Sequence, residues 1–413
     1  MKRRLLPILM TLVLVCALPI WAAFVTSGDV TNPLVSTAGA TLPDLQAKID
    51  AAADNATITL DSDTTITETL VITSKTLTLD LNGCTLRMTG TGSVLKVSGR
   101  ATLTIQDSSA EGTGTITGGN AVDGGGVYVD DYAALKMTGG CITGCHASYG
   151  GGIFSYENLY MSGTAKIEKC TSNGGSDDAI WNAEGVIYAD GGTVDGTVNN
   201  QGTITRSNGT NANAATVFNK TVYMRGSKYT KRCIEAGTYN GTVENTGSII
   251  GGTFYGTVRN QKNSMGLNIT GSVTGGTFYG PIVNEVGPGQ VTGGTFAVRF
   301  DTGDGTKPEP TLVPWNGKVP RPTSDPEKSG HTFIDWYLGD APYDFDTPVN
   351  APLTLTAKWK EVPSSGGYYY YPTTDTKADD AKDSPKTADP GVALYAALSL
   401  LSLTGLTCAT KKR

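Results

Sequence analysis

The stretch Ile116-Thr-Gly-Gly-Asn-Ala-Val-Asp-Gly-Gly-Gly126 returns without a gap, 26 residues later, as Ile142-Thr-Gly-Cys-His-Ala-Ser-Tyr-Gly-Gly-Gly152. Each copy runs into an apolar residue and an aromatic one, Val127-Tyr128 and Ile153-Phe154, and Ile180-Trp181 follows 27 residues on. Further out, Leu135-Lys-Met137 matches Leu159-Tyr-Met161, while Ile142 and Cys145 match Ile167 and Cys170. Within each unit the apolar positions alternate, which is the period of a strand. A unit this short cannot bury its own apolar face, but stacked neighbours bury a continuous core. Short strands with Gly at the corners describe one turn of a parallel β-helix. The repetitive region then holds roughly ten turns, each rising about 4.8 Å.

A second phrase carries the repeat onward: Gly192-Thr-Val194, Gly237-Thr-Tyr239, Gly252-Thr-Phe254, Gly276-Thr-Phe278 and Gly294-Thr-Phe296. The rings of Phe254, Phe278 and Phe296 should therefore stack in the core. Asn182, Asn200, Asn219, Asn245, Asn260 and Asn284 also recur, and Asn at a stacked turn can bond its own backbone and the next coil. Cys145 over Cys170 reads as two buried thiols in one ladder, and a disulfide there needs good geometry. The N-terminal edge of such a rod must be covered. Thr41 is a good helix cap, Asp44 lies in the first turn, and Leu45, Ile49 and Ala53 share one face, so 42–54 reads as a short capping helix.

The opening through Leu79-Asp80-Leu81-Asn82-Gly83 and Leu103-Thr104-Ile105-Gln106-Asp107-Ser108 resembles the pectate-lyase-like right-handed β-helix family. That resemblance covers 40–296 and implies a right-handed solenoid; it is unspecific for activity. At Ala297 the composition changes. Val298-Arg299-Phe300-Asp301, Thr332-Phe333-Ile334-Asp335-Trp336-Tyr337, Tyr343-Asp344-Phe345 and Ala357-Lys358-Trp359 resemble the B repeat of internalin-type surface proteins. The resemblance spans 297–360 and implies a small β-grasp-like module, in which Trp336, Phe345 and Trp359 are the expected core. It would cap the rod or act as a spacer. The fold class is thus all-β: a parallel β-helix with an N-terminal capping helix, then the B-repeat module.

Both ends read as targeting segments. Lys2, Arg3 and Arg4, the apolar run Leu5 to Ile20 and the small Ala22 and Ala23 form an export signal over 1–23. Residues 361–386 are low in complexity and lack an apolar period, as in a flexible linker. The tail 384–413 places Ser384-Pro385-Lys386-Thr387-Ala388 before an apolar run 391–409 and a basic end. That run would rise about 28 Å as a helix, enough to span a bilayer core. The tail resembles the sorting signal of sortase substrates, whose motif is Leu-Pro-x-Thr-Gly. Pro385 and Thr387 match, Ser384 replaces Leu and Ala388 replaces Gly, so the sortase class stays open. The resemblance implies cleavage after Thr387, with sortase and peptidoglycan as partners, on the surface of a Gram-positive-type bacterium.

Removal of both ends takes Cys16 and Cys408 and leaves Cys84, Cys141, Cys145, Cys170 and Cys233, an odd count unlike a disulfide framework. A formal charge of -6 with no basic stripe argues against nucleic acid.

Chemistry has few candidates. Asp131, Glu157 and Glu184 each follow Val127, Ile153 and Ile180 by four residues and could stack. Neighbouring carboxylates at that spacing repel by about 1 kcal/mol even in water, which a cation would relieve. The alternative is three solvated turn residues, and no Arg follows in the ladder. His146 and His331 lie in different modules, and no nucleophile motif accompanies them. Asp301 to Gly305 lacks the later ligands of a calcium loop and fits a turn. No cofactor is implied. The best binding feature is aromatic: Tyr128, Phe154, Trp181 and Phe218 each follow an apolar residue that should point inward, which turns the rings outward. Such a row suits a sugar chain, although aromatic ladders also stabilise strands. The sequence favours a wall-anchored adhesin or stalk that contacts a host or community glycan or protein. The rivals are a surface lyase or hydrolase acting on polysaccharide, and a structural spacer.

Overall fold

The computed structural model describes residues 42–207, 214–225, 232–261, 271–285 and 290–363. They form a parallel β-helix in which successive coils each give one strand to each of three parallel sheets. Sheet A holds ten strands, from Ala56–Thr59 to Ser272–Val273. Sheet C also holds ten, from Leu70–Thr73 to Ile282–Asn284. Sheet B starts at Thr64–Ile66, runs to Thr277–Phe278 and continues through Thr295–Asp301 into the C-terminal module.

The repeat noted in the sequence is the register of these sheets. Val127 pairs with Leu95 and Ile153, Leu135 with Leu103 and Leu159, and Ile142 with Ile116 and Ile167. All of these side chains are fully buried, so each coil closes the core of the one before it. The triple glycines form the bend into sheet C. Gly124 and Gly150 sit at φ of 60° and 62°, where other residues are strained. A Cβ on Gly125 would lie 2.4 Å from the His146 carbonyl oxygen.

Phe254 and Phe278 do stack inside sheet B, Phe296 follows buried but tilted by 36° at 5.7 Å, and the column extends back through Tyr239 to Phe218. Centroid separations of 5.0, 4.8 and 4.8 Å carry it from Phe218 to Phe278. Each such pair adds about 0.5–1.5 kcal/mol beyond its buried area. The Tyr239 hydroxyl, wholly enclosed, donates to the Ala236 carbonyl at 2.7 Å.

An asparagine ladder runs along the inner edge of sheet C. Asn182 donates to Asn200, Asn245 to Asn260 and Asn260 to Asn284, at 2.6, 2.9 and 2.7 Å. Asn219 is not a rung. Met224 pairs with Asn200 and Asn245 and takes that place, and Asn200 Nδ2 rests on its Sδ. Asn219 instead follows a sheet B strand and accepts a bond from Asn240. Cys145 and Cys170 are buried free thiols in adjacent coils.

Further elements pack on the first coil and continue sheet B beyond the last. The helix Leu42–Ala51 buries Leu45 and Ile49 against the first coil. It ends three residues short of the expected 54, and Lys75 Nζ satisfies the carbonyls of Ile49, Asp50 and Ala52 at that end, each at 3.0 Å. Gln46 reaches the free edge of sheet C through Val71. The expected cap Thr41 lies outside the described residues.

At the other end, Thr295–Asp301 belongs to both parts. Its first residues pair with Thr277 and Phe278 of the last coil, and its remainder pairs in parallel with Leu353–Glu361. The strand Thr311–Pro314 then covers Thr295 and Phe296 from the far side. Trp336 is buried, with Phe300 and Phe333 edge-on to it at 4.8 and 5.5 Å. Phe345 and Trp359 are partly buried against this core, and Trp359 Nε1 donates to the Thr302 carbonyl.

Among the described residues, no helix is long and apolar enough to cross a membrane. The expected signal peptide 1–23, nearly all of the linker 361–386, the sorting residues Ser384 to Ala388 and the span 391–409 lie outside the described residues.

Candidate functional site

Between sheets B and C, two coils carry an additional strand each, Asn120–Asp123 and His146–Tyr149, paired in parallel. These are the residues between the Ile-Thr-Gly and triple-glycine phrases of the repeat. They build a wall beside the outer face of sheet C. The wall is braced by His146, whose ring nitrogens meet Thr171 Oγ1 at 3.1 Å and Asn173 Oδ1 at 3.2 Å. The two preceding coils lack such a strand; Gly92 alone bridges to Asn120. The step leaves an open groove of about 690 Å³. Its floor is Val71, Lys96 and Tyr128, three successive positions of one outer row, and its side is Asn120 to Asp123.

Aromatic side chains continue from the groove along the rod. Tyr128, Phe154 and Trp181 occupy one row in register, as the alternation implies. Tyr128 and Phe154 stack at 5.7 Å with planes 10° apart. Stacking along a β-helix spends the ring faces on one another: the other neighbour of Tyr128 is Lys96, 5.1 Å from its centroid. Phe154 is only 5 % exposed. The ring surface open to a ligand comes from two residues the row pattern does not select. Tyr156, 36 % exposed, meets both Phe154 and Tyr128 at steep angles, and Tyr149, 46 % exposed, meets Trp181 at 66°. Tyr156 sits in the turn just after the row, and Tyr149 lies on the wall strand.

Phe218 does not join this row. Val217 pairs with Thr193 and Thr238, an outward position of sheet B, so alternation turns Phe218 into the core. The position after Trp181 on sheet C is Asn199, followed by Tyr223.

Electrostatics in the groove are mixed. Lys96 Nζ is 3.8 Å from an Asp130 carboxylate oxygen. Burial pushes the Tyr128 hydroxyl up to about 12, with Asp130 adding to the shift, so it stays a neutral donor. Burial also raises the Asp123 carboxyl. At the Trp181 end, Asp178 is almost fully buried; burial raises its pKa, and it accepts bonds from Gly150 N–H at 2.8 Å and Asn199 at 3.5 Å.

Asp131 and Glu184 are exposed and Glu157 is half-buried. No group of three metal-binding side chains is assembled among the described residues. Asp304 at the module turn is engaged by Thr302 and Thr306, whose bonds hold its carboxyl at about 2. What this surface can do chemically is to hold a polar, partly apolar chain by ring contact and hydrogen bonding.

Residues 296–358 match the Listeria-Bacteroides repeat domain. No curated protein and no solved structure matches the chain. Fold and match together define a parallel β-helix repeat protein that carries a Listeria-Bacteroides repeat domain. That repeat is typical of surface-exposed bacterial proteins.

Proposed function

We propose that this chain is a bacterial surface stalk that binds a glycan along the outer face of sheet C, and that it acts as an adhesin held on the cell wall through its C-terminal tail. The observation that carries the glycan assignment is the juxtaposition of exposed Tyr149 and Tyr156, on the Tyr128–Phe154–Trp181 row, with the groove at Lys96. Aromatic rings in a shallow polar groove suit sugars, which present apolar C–H faces and hydroxyls together. Coils about 4.8 Å apart repeat the platform along a chain of sugar units. Wall attachment rests on the Pro385-Lys386-Thr387 tail and its basic end, and sortase and peptidoglycan are its partners. The Listeria-Bacteroides repeat between rod and tail supports a surface location.

Glycan arrays probed with the full chain test the assignment, alongside assays for new reducing or unsaturated ends. Binding to a defined glycan without new ends is expected. Release of new ends would make the protein an enzyme, and absence of binding to every glycan would leave a protein ligand or a spacer.

A further inference from the structure

The rod and the C-terminal module share the strand that carries Arg299, and the surface there differs in chemistry from the sheet C groove. Along the outer rim of sheet B, the residue after each core ring reaches the surface: Asn240 after Tyr239, Tyr255 after Phe254 and Tyr279 after Phe278. Tyr255 is 52 % exposed and stacks on half-buried Tyr279 at 4.7 Å, with planes 13° apart. Arg299 donates from Nη1 to the Tyr279 carbonyl at 2.9 Å. The Nε and Nη2 side of its guanidinium has no partner among the described residues. Arg299 pairs in register with Thr354, and the two line a pocket of about 390 Å³ with Phe300, Asp301, Lys307 and Pro308. Lys307 is exposed and has no ion-pair partner among the described residues. Asp301 Oδ1 is engaged by the Gly303 N–H at 2.9 Å. Two cations against one carboxylate leave the pocket wall with one positive charge in excess.

We propose that this junction is a second binding site and that it takes a hexuronate unit of an acidic polysaccharide. The inference goes beyond the glycan reading of sheet C and does not depend on it. The Nε–Nη2 edge of an arginine is a fork that matches the two oxygens of a carboxylate. Lys307 adds a second positive charge to the pocket wall. In a hexuronate the carboxylate sits one bond from the sugar ring, so a carboxylate held at Arg299 brings ring C–H groups to Phe300 and Pro308. Neighbouring units then run over Tyr279 and Tyr255, whose open edges and hydroxyls suit the polar and apolar parts of a sugar. A glycerol phosphate polymer carries the same charge per unit without a ring beside it, and leaves Phe300 and Pro308 uncovered.

The test is calorimetric titration of the full chain with a tetramer of β-1,4-linked glucuronic acid and with the matching glucose tetramer. In low salt the acidic tetramer should bind at least about tenfold more tightly, the scale of one hydrogen bond to a charged group. The preference should shrink as salt rises. Arg299→Lys keeps the charge but lacks the fork, and should lose most of the preference. Lys307→Gln, at an exposed position, should weaken the acidic tetramer several-fold and flatten its salt dependence. Circular dichroism confirms the fold of both variants. Tyr149→Ala, on sheet C, should leave the preference unchanged. Equal affinity for the two tetramers overturns the inference, as does a preference that survives both Arg299→Lys and Lys307→Gln. A preference lost in Tyr149→Ala overturns it as well, since the acidic chain then sits on sheet C, and so does tighter binding of a glycerol phosphate polymer. Neutral glycan binding at sheet C is read through Tyr149 and Tyr156, and stands or falls separately.

Discussion

The Gln46 side-chain amide pairs with the backbone of Val71 as a strand residue would: Oε1 accepts the Val71 N–H at 2.9 Å, and Nε2 donates to the Val71 carbonyl at 3.1 Å. A single helical side chain thereby blocks the first edge of sheet C, a place where another chain could add a strand. Gln46→Leu should leave those two backbone groups without partners, at a cost of about 1–3 kcal/mol. Hydrogen exchange at the Val71 amide should accelerate, and light scattering should show more self-association. Unchanged exchange would mean that the helix itself, not this contact, protects the edge.

The column of rings inside sheet B should behave as core. Phe218→Ala and Phe254→Ala should each destabilise the rod by about 3–5 kcal/mol, as measured by denaturant unfolding of the coils around them. Ligand affinity at sheet C should be unchanged in the fraction that remains folded. A stable Phe218→Ala variant with lost glycan binding would return Phe218 to the surface row.

Asp107 gives the rod an acid-sensitive clamp. Its carboxylate accepts bonds from Gly83 N–H, Gly114 N–H and the Ser109 hydroxyl at 2.8, 2.6 and 2.7 Å. Burial works to raise its pKa, but these bonds prevail and hold it below the usual carboxylate range. A depressed native pKa contributes stability that is present above the unfolded value and is lost as pH falls through the native one. Stability around Asp107 should therefore hold at neutral pH and decline below about pH 4. Asp107→Asn should lose stability at pH 7 and flatten that decline in acid unfolding curves.

Attachment is checked by mass spectrometry of protein released from cells with a wall hydrolase. A terminal peptide ending at Thr387 and carrying a peptidoglycan fragment is expected. An intact tail through Arg413, found only in membranes, would place the rod on the membrane instead.

The β-helix was legible in sequence because its inner rows are simple: the spacing that aligns Ile116, Ile142 and Ile167 is the spacing of hydrogen-bonded neighbours. The Tyr128, Phe154 and Trp181 row was legible for the same reason. Phe218 and Asn219 misled because coils between 190 and 245 vary in length. Val217-Phe218 looks like Ile180-Trp181 in isolation, yet it belongs to a different sheet, where the inward parity is reversed. Tyr149 and Tyr156 carried no ladder signal, since each acts from a wall or turn that packs across the row. The groove itself depends on a strand that two coils have and their neighbours lack, a difference that only the stacked structure turns into a step.

Titration of the best array glycan into wild-type chain and into Tyr149→Ala and Tyr156→Ala tests the binding face most directly. Both residues are exposed, so both variants should fold normally. Each should weaken binding by about 1–3 kcal/mol, roughly five- to 150-fold, the usual scale for an aromatic contact residue. Wild-type affinity retained by both variants would contradict a glycan face on sheet C.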